Sequence, residues 1–97
     1  MTRNIHIVLT GYIDVPPDRL DEVTAALPAH IALTHQEPGC LEFDVTVDPI
    51  IPGRFNVSER FATRSDFDAH QARMKSSPWA KVTEGIPRQY EITEVPA

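Results

Sequence analysis

The 97 residues, 41% of them hydrophobic, suffice for one domain over residues 1–97 that buries roughly 60 to 65% of its unfolded surface. A formal net charge of -5, with acids and bases interspersed, argues against a nucleic-acid backbone or an anionic membrane surface as partner. No apolar run approaches the roughly 20 residues that span a bilayer. The lone Cys40 rules out an internal disulfide and no basic leader precedes an apolar run, so the expectation is a cytoplasmic protein with a small-molecule or protein partner.

From Ile5 to Val15 a nearly continuous β-branched run predicts a strand compatible with burial on both faces. Pro16-Pro17-Asp18 ends it and opens a helix, with Asp18 placed to cap and Leu20, Val23, Leu27, Ile31 and Thr34 on the inward stripe. Pro28 falls inside that pattern. Proline removes a donor and crowds the preceding turn, so a kink or break is expected near Leu27, with the second half reaching about Gln36 and His30 beside the stripe. Glu37-Pro38-Gly39 stops the helix. Cys40 to Asp48 then alternates Leu41, Phe43, Val45 and Val47 against Glu42, Asp44, Thr46 and Asp48, the clearest strand signature in the chain. Asp48 to Gly53 is turn chemistry for an antiparallel hairpin, but Ile50 and Ile51 are apolar for a tip and point to contact with another subunit.

The next strand, from Arg54, sets Phe55, Val57 and Phe61 against Asn56, Ser58 and Arg60, and Glu59 interrupts the apolar row. Burying a carboxylate unpaired costs several kcal/mol or raises its pKa, so Glu59 either pairs with an arginine such as Arg54 or Arg60 or faces a cavity suited to acid–base chemistry. The following helix opens at Ser65 with an S-x-x-D signal and puts Phe67, His70 and Met74 on one face. A carboxylate beside an imidazole can hold one tautomer and raise its basicity, as a base working near neutral pH requires. Ser77-Pro78-Trp79 reads as an N-cap, a first-turn proline and an aromatic able to wall a pocket or fill the core. Gly85 to Val95 supplies a last strand with Tyr90 and Ile92 on one face, and Pro87 marks an edge or a start.

The order β-α-β-β-α-β, with a helical extension before the last strand, is the α+β ferredoxin-like arrangement. Helices on one face of an antiparallel sheet leave the other uncovered, and pairing two such sheets about a two-fold axis predicts a homodimer. No metal is expected, because His6, His30, His35 and His70 contain no H-x-x-x-H pair and one cysteine makes no C-x-x-C.

The segments H-I-A-L-T-H-Q-E-P-G-C-L-E-F-D-V, D-P-x-x-P-G-R-F-N-V-S-E-R-F, F-D-A-H-Q and S-P-W together resemble the antibiotic biosynthesis monooxygenase family over nearly the whole chain. That resemblance implies a ferredoxin-like protomer in a dimeric α/β barrel, with His30, Glu59 and His70 among the polar residues lining a cleft between sheet and helices. It is poorer to haem-degrading members, which carry a tryptophan where this chain has His70. Polyketide-oxidising members have Asn and Trp where this chain has Val57 and Phe61. The resulting expectation is a cofactor-independent monooxygenase that uses O2 on a quinol-like or polyketide-type aromatic. Its catalytic residues would be Glu59, His70 and His30; Trp79, Val57, Phe61, Phe67 and Met74 would hold the substrate. The alternatives are an isomerase or cyclase using the same acid–base pair, with Arg54, Arg60 or Arg73 anchoring an anionic group, and a binding module without turnover.

Overall fold

The computed structural model describes residues 4–97. Strand β1 (Ile5–Asp14) leads through a 3-10 turn (Pro17–Arg19) into helix α1 (Leu20–His35), followed by β2 (Cys40–Val47), β3 (Arg54–Phe61), α2 (Arg64–Lys75), the short α3 (Pro78–Val82) and β4 (Arg88–Pro96). The strands form one antiparallel sheet in the order β2-β3-β1-β4, so β1 and β3 are central and β4 is an edge, as its flanking Pro87 and terminal Pro96 suit. This is the ferredoxin-like order read from the sequence.

The core lies between one face of the sheet and the helices. Ile7, Leu9 and Ile13 of β1, Phe43 and Val45 of β2 and Phe55, Val57 and Phe61 of β3 meet Val23, Phe67 and Trp79. Only one face of β1 is buried: His6, Val8 and Tyr12 on the other face are half-buried and Thr10 is exposed, in contrast to the two-sided burial its sequence suggested. That outer face is polar, and on it Arg54 bonds Asp14 through two nitrogens and stacks over Tyr12, while Arg60 contacts His6. Gly11 lies between Val57 of β3 and Tyr90 of β4 at a φ of 152°, and a Cβ there would come within 1.9 Å of the Gln89 carbonyl oxygen. Only glycine lets β4 approach β1 so closely.

Four local expectations need correction. Helix α1 runs unbroken through Pro28, because Pro28 and Thr24, whose carbonyl loses its intrahelical donor, lie on the exposed side where water can serve that oxygen. Asp18 lies within the 3-10 turn and is not a cap. In β2 a bulge between Cys40 and Glu42 makes Leu41 the extra residue and leaves it 52% exposed, so only Phe43 and Val45 carry the buried alternation. Helix α2 is capped by Thr63, whose Oγ1 accepts from the Asp66 backbone N–H (3.0 Å), and not by Ser65.

Candidate active site

A cavity of about 400 Å³ opens between the helix-facing side of the sheet and α1, α2 and α3. Strand alternation sends Glu59 to this side, in the same row as Val57 and opposite Leu9 and Phe43. The three-residue step on α2 puts His70 one turn beyond Phe67, and both are buried. The N-terminus of α2 is seated by Gly39. A Cβ there would fall 2.0 Å from the Asp66 carboxyl carbon, and the Gly39 carbonyl accepts from Ala62 (2.9 Å). The Glu-Pro-Gly turn thus lies against α2 and brings Glu37 onto His70.

His70 Nδ1 is 2.7 Å from Glu37 Oε1. An ionised carboxylate only accepts, so Nδ1 carries the proton and donates, leaving the Nε2 lone pair toward Glu59 Oε1 at 3.8 Å. The second Glu37 oxygen accepts from Arg73 Nε (3.0 Å), and Arg73 Nη2 donates to Thr34 Oγ1 (2.9 Å), which in turn donates to the His30 carbonyl (2.8 Å). Glu37 therefore fixes both the orientation and the tautomer of the imidazole. The ring of His70 rests on Phe61 at 4.9 Å between centroids.

Glu59 is 7% exposed and its Oε1 has no hydrogen-bond partner among the described residues. Burial, with a smaller contribution from the Glu37 charge, pushes its carboxyl up to about 7. Burial lowers the His70 imidazole, and its bond to Glu37 opposes that fall. Burial thus disfavours the charged form of each group, and at about 7 the Glu59 carboxyl has both its protonated and its ionised form within reach near neutral pH. His30, reached from α1, stacks parallel on Trp79 (4.7 Å, 4°) and meets Phe43 edge-on. Burial, then the charges of Arg73, His70 and Arg88, pulls its imidazole down to about 3, so it works as an uncharged polar group with an unpartnered buried Nδ1. Tyr90 is 39% exposed as a residue, yet its hydroxyl is crowded enough that desolvation pushes it up to about 12.

Of the residues singled out in the sequence, Glu59, His70, His30, Trp79, Val57, Phe67 and Met74 all line this cavity. Phe61 does not; it is fully buried beneath the rings of His70 and Phe67. The proposed arginine partners of Glu59 are excluded by strand alternation, since Arg54 and Arg60 sit on the opposite face of the sheet. Arg73 is engaged through Nε by Glu37 and through Nη2 with Thr34; its buried Nη1 has no hydrogen-bond partner among the described residues, and the residue does not line this cavity. Glu37 was read in the sequence only as part of a turn; its one signal there is an acid directly before Pro-Gly, which carries no face information. No set of His, Cys, Asp and Glu suited to a metal ion occurs among the described residues.

Among solved structures the chain is similar to a Nitrosomonas europaea protein provisionally described as an antibiotic biosynthesis monooxygenase (18% identity, TM-score 0.70, covering 100% of this chain and 93% of that one). It is similar also to protein SO0527 of Shewanella oneidensis (20%, 0.74, 99% and 96%) and to Rv0793 of Mycobacterium tuberculosis (21%, 0.72, 91% and 92%). At these identities the likeness establishes the fold. No curated protein matches the sequence significantly. The sequence profile of antibiotic biosynthesis monooxygenases matches residues 6–81, spanning β1 through most of α3 and every catalytic candidate in the cavity. The chain therefore belongs to the antibiotic biosynthesis monooxygenase family.

Proposed function

We propose that this protein is a cofactor-independent monooxygenase that oxidises a quinol-like or polyketide-type aromatic with O2. The observation that carries the reading is the buried pair of Glu59 and His70, 3.8 Å apart on the wall of a cavity whose other walls are largely apolar and aromatic. A carboxyl held at about 7 is matched to a base that must exist ionised near neutrality yet remain strong enough to take a phenolic proton. Glu59 removes that proton, with the His70 Nε2 lone pair beside it as an acceptor for it, and the electron-rich anion reduces O2. One oxygen atom enters the ring and the other leaves as water with two hydrogens from the substrate, so the substrate supplies every electron. Trp79, Val57, Phe67 and Met74 flank the ring, and exclusion of water strengthens the electrostatics inside. His30, held neutral, offers Nδ1 as a hydrogen-bonding point for a substrate oxygen. We read the working form as a homodimer, supported by the open polar face of the sheet and by Ile50, 85% exposed at the hairpin tip.

The test is enzyme-dependent oxygen uptake by metal-free protein against hydroquinones, naphthols and anthrols, with Glu59→Gln and His70→Ala beside the wild type. Uptake reduced by about 10² in both variants is the expected result. Uptake undiminished in either removes that residue from the mechanism. Substrate conversion without oxygen consumption replaces the oxygenase with an isomerase using the same pair.

A further inference from the structure

Arg19, Arg54, Arg64 and Arg73 each meet a carboxylate, and Arg60 turns to His6. Among the described residues Lys75, Lys81 and Arg88 take part in no such pair. They cluster where α2 ends, α3 lies and β4 begins. Lys75 and Arg88 border the cavity; Lys81 borders a more open hollow outside it, together with Lys75. In a chain of net charge -5, two cations without a carboxylate partner at the mouth of an otherwise apolar and acidic cavity are an asymmetry that solvation of the surface does not require.

Arg88 is held in place. Its Nη2 donates to Thr83 Oγ1 at 2.7 Å, and Thr83 is itself buried and bonded to the Trp79 carbonyl. Its charge reaches inward, contributing to the neutrality of His30 and opposing the upward shift of the Tyr90 hydroxyl. Deeper in, Glu59 and His30 each present a buried atom without a protein partner. The cavity is thus graded, cationic at its mouth and neutral and polar at its floor, with aromatic and aliphatic walls between.

We propose that the substrate is an aromatic bearing a carboxylate, with the acid group held at the mouth by Arg88 and Lys75 and the hydroxylated ring inside between Trp79 and Glu59. This rests on the reading of the cavity as the oxygenase site and narrows its substrate class. A carboxylate at the mouth stays partly hydrated, whereas beside Glu59 it would be desolvated and repelled once Glu59 ionises. Two acids share this region, Asp68 at the cavity and Glu84 at the adjoining hollow with Lys75 and Arg88, and they favour a monoanion over a dianionic phosphate.

The experiment is calorimetric titration under argon of a naphthohydroquinone carboxylate, its neutral methyl ester and a naphthyl phosphate into wild type, Arg88→Gln, Lys75→Gln and Lys81→Gln. The carboxylate should bind about tenfold more tightly than the ester, as charge-assisted hydrogen bonds at a partly exposed site provide. Arg88→Gln and Lys75→Gln should each erase most of the difference between acid and ester, and Lys81→Gln should leave both affinities as they are. Because Arg88 also supports Thr83, Lys75→Gln keeps the test decisive if the Arg88 variant loses structure. Equal affinity for acid and ester, a preference that survives both cavity variants, or tighter binding of the phosphate overturns the proposal. Titration needs no turnover. An acid preference without oxygen uptake sinks the oxygenase reading alone, and uptake indifferent to the carboxylate sinks this inference alone.

Discussion

Replacing Glu59 with glutamine should stabilise the protein at alkaline pH while disabling it. In the fold the Glu59 carboxyl sits at about 7 against an ordinary value of 4.5, chiefly because it is buried and unpartnered. Between those two values the folded state holds a proton that the unfolded chain has released, so stability falls as pH rises through the window. Below 4.5 both states are protonated and the cost vanishes; above 7 it is fully present. The difference corresponds to about 3 kcal/mol, of which about 2.5 kcal/mol is lost between pH 5 and pH 8. Glutamine has nothing to ionise. Urea unfolding of wild type and Glu59→Gln at both pH values, at one fixed protomer concentration because any dimer couples stability to concentration, should show the variant gaining about 2 to 3 kcal/mol relative to wild type at pH 8 and about 1 kcal/mol or less at pH 5. The comparison cancels most of the contribution of His70, whose lowered imidazole acts in the opposite direction and is common to both proteins. Parallel pH dependences in the two proteins would refute the claim that Glu59 is buried and strained in its charged form, and with it the account of Glu59 as a tuned base.

Glu37→Gln should lower the His70 titration seen by NMR, since Glu37 is what opposes the effect of burial, and should reduce turnover by about tenfold or more by loosening the ring tautomer; an unmoved His70 titration would dissociate the two residues. Trp79→Ala should cost about 3 to 5 kcal/mol in chemical unfolding and Trp79→Phe less, because the indole is buried and stacked on His30; a near-neutral Ala variant would mean that the stack is dispensable. Ile50→Ser combined with Ile51→Ser should shift the mass seen in light scattering toward the monomer without changing unfolding of the protomer by more than about 0.5 kcal/mol, given their exposed positions; an unchanged mass would place any subunit contact elsewhere.

What was legible in the sequence was whatever follows from periodicity within one element. The strict alternation of β3 marks Glu59 as inward-facing, and the three-residue step in α2 carries His70 to the same side as Phe67. Features set between elements were not legible. The extra residue Leu41 is defined only by its pairing with β3, so a flawless alternation in the sequence overstated the buried face of β2. Thr63 and Ser65 each stand three residues before an aspartate, and the earlier one prevails because β3 has already ended at Phe61. Glu37 was missed for the same reason on a larger scale. Its role comes from a turn packed against a helix more than thirty residues later, a juxtaposition that no local pattern encodes.

Gly11 ties the cavity to the main chain. Its two cross-strand neighbours, Val57 and Tyr90, are both cavity walls, and the backbone of β4 occupies the place a side chain would need. Any larger residue there must push the last strand away from the sheet, carrying Tyr90 and Arg88 with it. The β4 side of the cavity is therefore set by a position that contributes no side-chain atom. Substitutions confined to the lining alter the chamber one side chain at a time, whereas one at Gly11 alters it by moving the path of the backbone.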